Sequence, residues 1–165
     1  MRDLILDYKF TAAYVAAICI ANIGFTYLPM IQIGNQMLAP MSFLVGFIFV
    51  LRDFSQREIG HRVLAAMAVG GLLSYFMADP FVAYASVVAF IISELVDWAV
   101  YTFTKRPLKQ RILFSSAVGT PIDSAVFMLL LGFFSWYGLA IMFASKMVGA
   151  VIVWYFMADD NEVYI

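Results

Sequence analysis

Residues 81–103, FVAYASVVAFIISELVDWAVYTF, decide the fold class, because they combine a bilayer-spanning length with almost uniform apolarity. A transmembrane helix needs about 20 predominantly apolar residues, which this stretch supplies. Glu94 and Asp97 nevertheless lie within it, three residues apart. On a helix this spacing places both carboxylates on one face. The stretch therefore predicts a membrane-spanning helix whose acidic face points toward other helices.

The composition of the whole chain agrees with a membrane protein. Of its 165 residues, 64% are hydrophobic and 13% are charged, whereas soluble domains are about 45–50% apolar and about 25% charged. The length predicts a single domain covering residues 1–165. The net charge of −1 gives no basic surface for a nucleic acid, and Cys19, the only cysteine, allows no internal disulfide. The N-terminal apolar segment is interpreted as a retained span rather than a cleaved signal.

Hydropathy predicts an all-α integral membrane protein with six transmembrane helices. The predicted spans are residues 10–28, 38–54, 63–77, 81–103, 112–134 and 136–158. Nine of the ten Lys and Arg residues fall on one side of this arrangement, namely Arg2, Lys9, Arg52, Arg57, Arg62, Lys105, Arg106, Lys109 and Arg111. The positive-inside rule makes that side cytoplasmic. We therefore expect both termini in the cytoplasm and a multi-pass location in the cell membrane, which is the inner membrane in a Gram-negative cell.

Once the charges counted with the connections between spans are set aside, four charged residues remain inside the predicted spans. They are Glu94, Asp97, Asp123 and Lys146. Each ionised side chain at the bilayer centre costs about 2.5–3.5 kcal/mol on insertion scales, so these groups must pair, be neutral or face a bundle interior. Helical spacing places them on polar faces, which comprise Ser86, Phe90, Glu94, Asp97 and Tyr101 in the fourth span and Ser116, Thr120, Asp123 and Phe127 in the fifth. We therefore predict that these polar faces border one cavity between the helices.

An alternative is that these charges form buried ion pairs that only fix helix register. Three acids for one base fit that reading less well, because two acids stay uncompensated unless they hold protons, a ligand or a cation. Asn22, in the first span, is expected to hydrogen-bond either a neighbouring helix or a ligand. Asp53 and Arg57, four residues apart, are interpreted as a helix-surface ion pair at the cytoplasmic end of the second span.

The sequence shows no motif of an enzyme. One His and one Cys supply neither a zinc site nor a thiol centre, and no phosphate-cradling glycine loop is present. We therefore expect no catalysis, no metal and no cofactor, and no ATP hydrolysis through a P-loop.

Four segments in series resemble the VUT family of YhhQ-type queuosine-precursor transporters. The segments are FIFVLRDFSQREIG (47–60), SVVAFIISELVDWAVY (86–101), RILFSSAVGTPIDSAVF (111–127) and SK (145–146). The matching positions are Asn22, Asp53, Gly60, Asp97, Arg111, Ser115, Ser116, Asp123, Ser124, Phe127 and Lys146. The chain departs from many members at Glu94 and Thr120, where they carry Gln, and at Arg57, where they carry Glu.

The resemblance implies uptake of a 7-deazaguanine, either 7-cyano-7-deazaguanine or its aminomethyl relative. The expected substrate contacts are carboxylates that accept from the base edge, cations and hydroxyls that donate to its carbonyl, and aromatic rings that pack on its plane. These residues are Asn22, Glu94, Asp97, Asp123, Lys146, Ser115, Ser116, Phe90, Tyr101 and Phe127. Asp53, Arg57 and Arg111 are expected to form gating or structural ion pairs.

Secondary transport by alternating access is the expected mechanism, with proton coupling through the excess carboxylates. The expected partners are the small-molecule substrate and the lipid bilayer, and a homodimer is compatible with the sequence. The family also resembles the substrate-binding subunits of energy-coupling-factor transporters, which leaves open a substrate-capture subunit that docks on an ATPase module. A non-transporting membrane scaffold is a further alternative.

Overall fold

A computed structural model describes residues 8–33, 36–38, 40–77, 79–104 and 107–157. These residues form helices α1 (Lys9–Tyr27), α2 (Ser42–Ile59), α3 (Val63–Met77), α4 (Pro80–Phe103), α5 (Leu108–Leu130) and α6 (Trp136–Phe156). The predicted helical class is confirmed, with one small exception in the connection between α1 and α2. There, strands β1 (Ile31–Ile33) and β2 (Gln36–Leu38) form an antiparallel hairpin in which Ile31 pairs with Leu38.

Within the described ranges, five helical stretches are long and apolar enough to cross a membrane. They are Lys9–Tyr27, Ser42–Met77, Pro80–Phe103, Leu108–Leu130 and Trp136–Phe156. The second of these, with 36 residues, contains both α2 and α3. Gly60 divides it, because its φ of 61° is a conformation that ends α2 and that few other residues tolerate. A 3-10 turn over Gly60–Arg62 then leads into α3.

A polar residue begins each of the helices α4 and α6. The Asp79 side chain accepts from the backbone N–H groups of Phe81 and Val82 at 3.0 and 3.3 Å, and Pro80 occupies the first turn of α4. Ser135 caps α6 in the same way. Such caps satisfy backbone donors that have no partner within the helix. They fix where each helix enters the bundle.

Contacts between helix ends define the two ends of the bundle. Glu58, in the last turn of α2, accepts from the backbone N–H groups of Phe10 and Thr11 in the first turn of α1, at 3.2 and 2.8 Å. At the opposite end of α1, the Thr26 hydroxyl accepts from the Asp79 backbone N–H at 3.2 Å. Since α3 starts after the end of α2 and finishes before Asp79, it runs from one end of the bundle to the other.

Helix α2 differs most from its predicted span. It begins at Ser42 and continues to Ile59, whereas hydropathy placed it over 38–54. Arg52 is 1% exposed inside the bundle, so counting it with the cations on the cytoplasmic side was wrong. Hydropathy ended the predicted span too early because the last two turns of α2 are polar. Several of their side chains are buried against partners on other helices, which hydropathy does not consider.

Helices α2 and α6 approach each other very closely at two glycines. A Cβ on Gly46 would collide with the backbone carbonyl of Lys146, and a Cβ on Gly149 would lie 2.8 Å from the Gly46 carbonyl carbon. Small residues allow such backbone contact between membrane helices. This contact sets the position along the bundle axis at which the Lys146 side chain points into the bundle.

Candidate functional site

A small cavity of about 20 Å³ lies between α1, α2, α4, α5 and α6. We call it the pocket, and its lining consists of Ile18, Ala21, Asn22, Phe25, Val45, Ile48, Ser86, Phe90, Asp123, Phe127, Met142 and Lys146. A cavity of this volume holds about one water molecule. Its wall is apolar and aromatic, with polar groups from α1, α4, α5 and α6.

The charged part of the pocket is an ion pair between Lys146 and Asp123. The Lys146 ammonium binds the Asp123 carboxylate and donates to the Ser124 hydroxyl at 2.8 Å. Ser93 donates to the other Asp123 oxygen at 3.2 Å. Lys146 is 1% exposed, while the Asp123 side chain retains 10% exposure. The carboxylate therefore has an accessible edge, whereas the ammonium does not.

An amide and a hydroxyl complete the polar lining. The Ser86 hydroxyl donates to the Asn22 side-chain oxygen at 2.7 Å, and the Asn22 amide donates to the Ile18 carbonyl at 3.0 Å. Aromatic rings border these groups, with the centroids of Phe25 and Phe127 5.6 Å apart. The pocket thus presents a carboxylate, an amide and a hydroxyl next to flat apolar surfaces.

A second polar centre surrounds Arg52. Its guanidinium pairs with Asp53 on α2, where Nη1 is 2.8 Å from Oδ1, and with Glu94 on α4, where Nε is 3.4 Å from Oε2. The remaining nitrogen, Nη2, contacts Asp97 on α4. We call Arg52, Asp53, Glu94 and Asp97 the arginine cluster. All four side chains are at most 1% exposed.

Neutral side chains attach the arginine cluster to α1 and α5. The Tyr14 hydroxyl of α1 donates to Glu94 Oε2 at 2.9 Å, and the Ser115 hydroxyl of α5 donates to Asp53 Oδ2 at 3.0 Å. The ring of Tyr101 lies 5.5 Å from the guanidinium carbons of both Arg52 and Arg111. Such cation–π contacts are favourable for buried guanidinium groups. The cluster therefore bridges four helices.

The structure divides the predicted site residues between these two centres. The pocket contains Asn22, Phe90, Asp123, Phe127 and Lys146. Another group lies at or beside the arginine cluster, namely Asp53, Glu94, Asp97, Tyr101, Arg111 and Ser115. The predicted single cavity is thus replaced by two polar centres. Seven residues of α4 separate Phe90 from Asp97, which corresponds to about 10 Å along the helix axis.

Two further predicted positions need separate mention. Ser116 is buried, and among the described residues its hydroxyl has no hydrogen-bond partner. Asp53 is 0% exposed while Arg57 is exposed, so the interpretation of Asp53 as a helix-surface group was wrong. The four-residue spacing was a misleading signal, because the neighbouring Arg52 pairs with Asp53 inside the bundle.

Sequence reasoning missed Arg52 and Tyr14 as members of a polar centre. Arg52 was counted with the loop cations because it follows the apolar run 43–51 directly. The adjacent pair of Arg52 and Asp53 at the end of such a run was the available signal, since their opposite charges allow burial together. Tyr14 carried no signal, because nothing in the apolar first span distinguishes it from a packing residue.

A model of the family described as putative vitamin uptake transporter matches residues 8–158. The match covers nearly the whole chain, including both polar centres. No curated protein and no solved structure matches the chain significantly.

Proposed function

The chain belongs to the VUT family of putative vitamin uptake transporters, and we propose that it is a secondary transporter that imports a 7-deazaguanine. The substrate is 7-cyano-7-deazaguanine or its aminomethyl relative, and it binds in the pocket. The transporter performs no chemistry on it. The observation that carries the proposal is the pairing of an accessible Asp123 carboxylate with aromatic walls in a cavity inside the bundle.

The chemistry of the pocket suits a guanine-like edge. A carboxylate accepts two hydrogen bonds side by side, which matches the amino group and the adjacent ring N–H of such a base. The Asn22 amide and the Ser86 hydroxyl can each accept or donate, so they suit the remaining polar atoms of the base. Phe25, Phe90 and Phe127 supply flat apolar surfaces for the ring. Of the three carboxylates expected to include the one that binds the base edge, namely Glu94, Asp97 and Asp123, we assign Asp123 to this role.

The volume of the pocket supports alternating access as the mechanism. A site for a small molecule usually measures about 300–1,000 Å³, whereas the pocket measures about 20 Å³. The helices around it must therefore separate before a bicyclic base can enter. Transporters commonly bind their substrates near the bilayer midplane and open to each side in turn.

Six spans with both termini in the cytoplasm are part of the proposal. The Thr26–Asp79 and Glu58–Thr11 contacts support it, because they place the two ends of α3 at opposite ends of the bundle. With 15 residues, α3 is about 22 Å long, and local thinning of the bilayer accommodates a short span. The end that carries Lys109 then faces the cytoplasm.

Cysteine labelling tests this topology in intact cells. In a Cys19→Ser background, Tyr137→Cys is expected to react with a membrane-impermeant thiol reagent, and Lys109→Cys only after the cells are permeabilised. Labelling of Lys109→Cys in intact cells would overturn the assigned orientation.

Ligand-dependent stabilisation of the purified protein tests the substrate. The ligands are both 7-deazaguanines, with guanine and riboflavin as comparison compounds. At about 100 times its dissociation constant, a ligand adds about 2.7 kcal/mol to the stability of the folded protein. We expect stabilisation by a 7-deazaguanine, its loss in Asp123→Asn, and its retention in the matched control Asp79→Asn, which keeps a good helix cap outside the pocket.

Two results would contradict the proposal. Absence of stabilisation in a monodisperse wild-type protein would favour a different substrate or the scaffold alternative. Co-purification with an ATPase module, together with ligand binding but no uptake by the isolated chain in proteoliposomes, would favour the capture-subunit alternative.

A further inference from the structure

The arginine cluster contains more negative than positive charge. One guanidinium faces three carboxylates, and arginine remains protonated in proteins. If all three acids were ionised, two uncompensated negative charges would lie in a region where every side chain is at most 1% exposed. Desolvation and mutual repulsion both disfavour the full ionisation of carboxylates that are packed this closely.

The three carboxylates differ in how well their charge is satisfied. Both oxygens of Asp53 are engaged, one by Arg52 and the other by the Ser115 hydroxyl. Asp97 contacts Arg52 directly through Oδ2. Glu94 has the longest ion pair, 3.4 Å from Arg52 Nε, and its second strong contact is the neutral Tyr14 hydroxyl.

One oxygen of Glu94 also lacks a hydrogen bond. Within the described part of the chain, Glu94 Oε1 is buried without a hydrogen-bond partner, as are both carboxylate oxygens of Asp97 and Oδ1 of Asp53. An ionised carboxylate oxygen without a donor is costly at this depth, whereas a protonated oxygen carries no charge. Among the three acids, Glu94 has the longest ion pair with Arg52, so its ionised form receives the least support from the shared cation.

The groups that act on Glu94 come from each helix beside it. They are Tyr14 from α1, Arg52 and Asp53 from α2, Asp97 from α4 itself, and Asp123 from α5. Three of these five are acids, and the one cation is shared with Asp53 and Asp97. Asp123 also pairs with Lys146 in the pocket, so a change at the pocket carboxylate alters the electrostatic surroundings of Glu94.

We propose that Glu94 is the proton-binding group that couples substrate movement to a proton gradient, at a site separate from the substrate pocket. The inference rests on the proposed transport function and names the residue that carries its driving ion. Loss of the Glu94 proton restores its attraction to Arg52 and closes the bundle between α2 and α4. Uptake of the proton weakens that attraction and permits the two helices to separate.

Infrared spectroscopy of the purified protein tests proton binding without any substrate. The C=O stretch of a protonated carboxyl group is recorded as the pH is raised from neutral. We expect a titrating band in the wild type, its absence in Glu94→Gln, and its retention in the control Glu58→Gln at the end of α2. A wild type without a protonated carboxyl at neutral pH, or a band unchanged in Glu94→Gln, would overturn the inference. If Glu94→Gln fails to fold, a wild type without such a band would still overturn the inference, and Glu94→Asp, which is expected to shift the band, replaces Glu94→Gln for its assignment.

Proteoliposomes test the coupling. With an inward proton gradient, wild-type protein is expected to accumulate the 7-deazaguanine, whereas Glu94→Gln is expected to exchange it across the membrane without accumulating it. Accumulation by Glu94→Gln at the wild-type level would refute the coupling role. Loss of ligand stabilisation in Glu94→Gln would instead assign this residue to substrate binding. If the infrared band behaves as expected but no 7-deazaguanine binds the wild type, the proposed substrate fails and the proton site stands.

Discussion

The ion pair between Lys146 and Asp123 is predicted to hold α5 against α6. Replacing Lys146 by Met removes the ammonium and, among the described residues, leaves the Asp123 carboxylate with only the Ser93 hydroxyl as a hydrogen-bond donor. Breaking a buried ion pair from one side costs about 3–5 kcal/mol, because the remaining charge is left uncompensated. The 1% and 10% exposure of the two side chains places this pair in the buried class. We therefore expect Lys146→Met to lose about 3–5 kcal/mol of unfolding free energy.

A double-mutant cycle isolates the pair from the rest of the site. Asp123→Asn and the double variant Asp123→Asn/Lys146→Met complete the cycle, and unfolding is followed by helical circular dichroism during SDS titration in mixed micelles. Contacting residues typically show an interaction energy of about 0.5–3 kcal/mol, so the double variant is expected to be more stable than the sum of the single losses implies. Additive losses, or a Lys146→Met variant as stable as wild type, would refute the reasoning.

Two further predictions concern packing and helix ends. Gly46→Ala is expected to lose about 1–3 kcal/mol of stability, because its Cβ would meet the Lys146 backbone carbonyl. The control Gly71→Ala, whose Cβ would have its nearest contact at 3.9 Å, is expected to change the stability little. Thermal melting in detergent compares the two variants, and equal losses would contradict the close contact between α2 and α6. Glu58→Gln is expected to lose about 1 kcal/mol of unfolding free energy, because the amide oxygen is a weaker acceptor for the Thr11 backbone N–H than the carboxylate. Hydrogen exchange at the Thr11 amide is expected to become faster, and an unchanged rate would contradict this role of Glu58.

The positions of the helices were largely predictable because hydropathy and breakers are local properties. The third span was predicted at 63–77 and found at Val63–Met77, and Pro80 opens α4 as the apolar run before it suggests. The second span was the main error. Its polar end is helical only because groups on other helices compensate for its charges, and hydropathy considers each segment alone.

The buried faces were also predictable, but the grouping of residues was not. Helical spacing correctly placed Glu94, Asp97 and Asp123 on buried faces. It could not show that Asp123 pairs with Lys146 while Glu94 and Asp97 pair with Arg52. Spacing along the sequence specifies the direction in which a side chain points around the axis of its helix. It does not specify how far each helix is shifted along the axis of its neighbour.

The sequence by itself therefore determined the membrane class, the family and the faces that turn inward, since apolar length, residue order and helical period are all written along the chain. The tertiary structure alone decided that Arg52 is buried and that the charges form two centres. Contacts such as the one between Gly46 and the Lys146 backbone set the axial position of each helix. A shift of one helical turn, about 5.4 Å, would separate charges that pair across helices, such as Asp123 and Lys146.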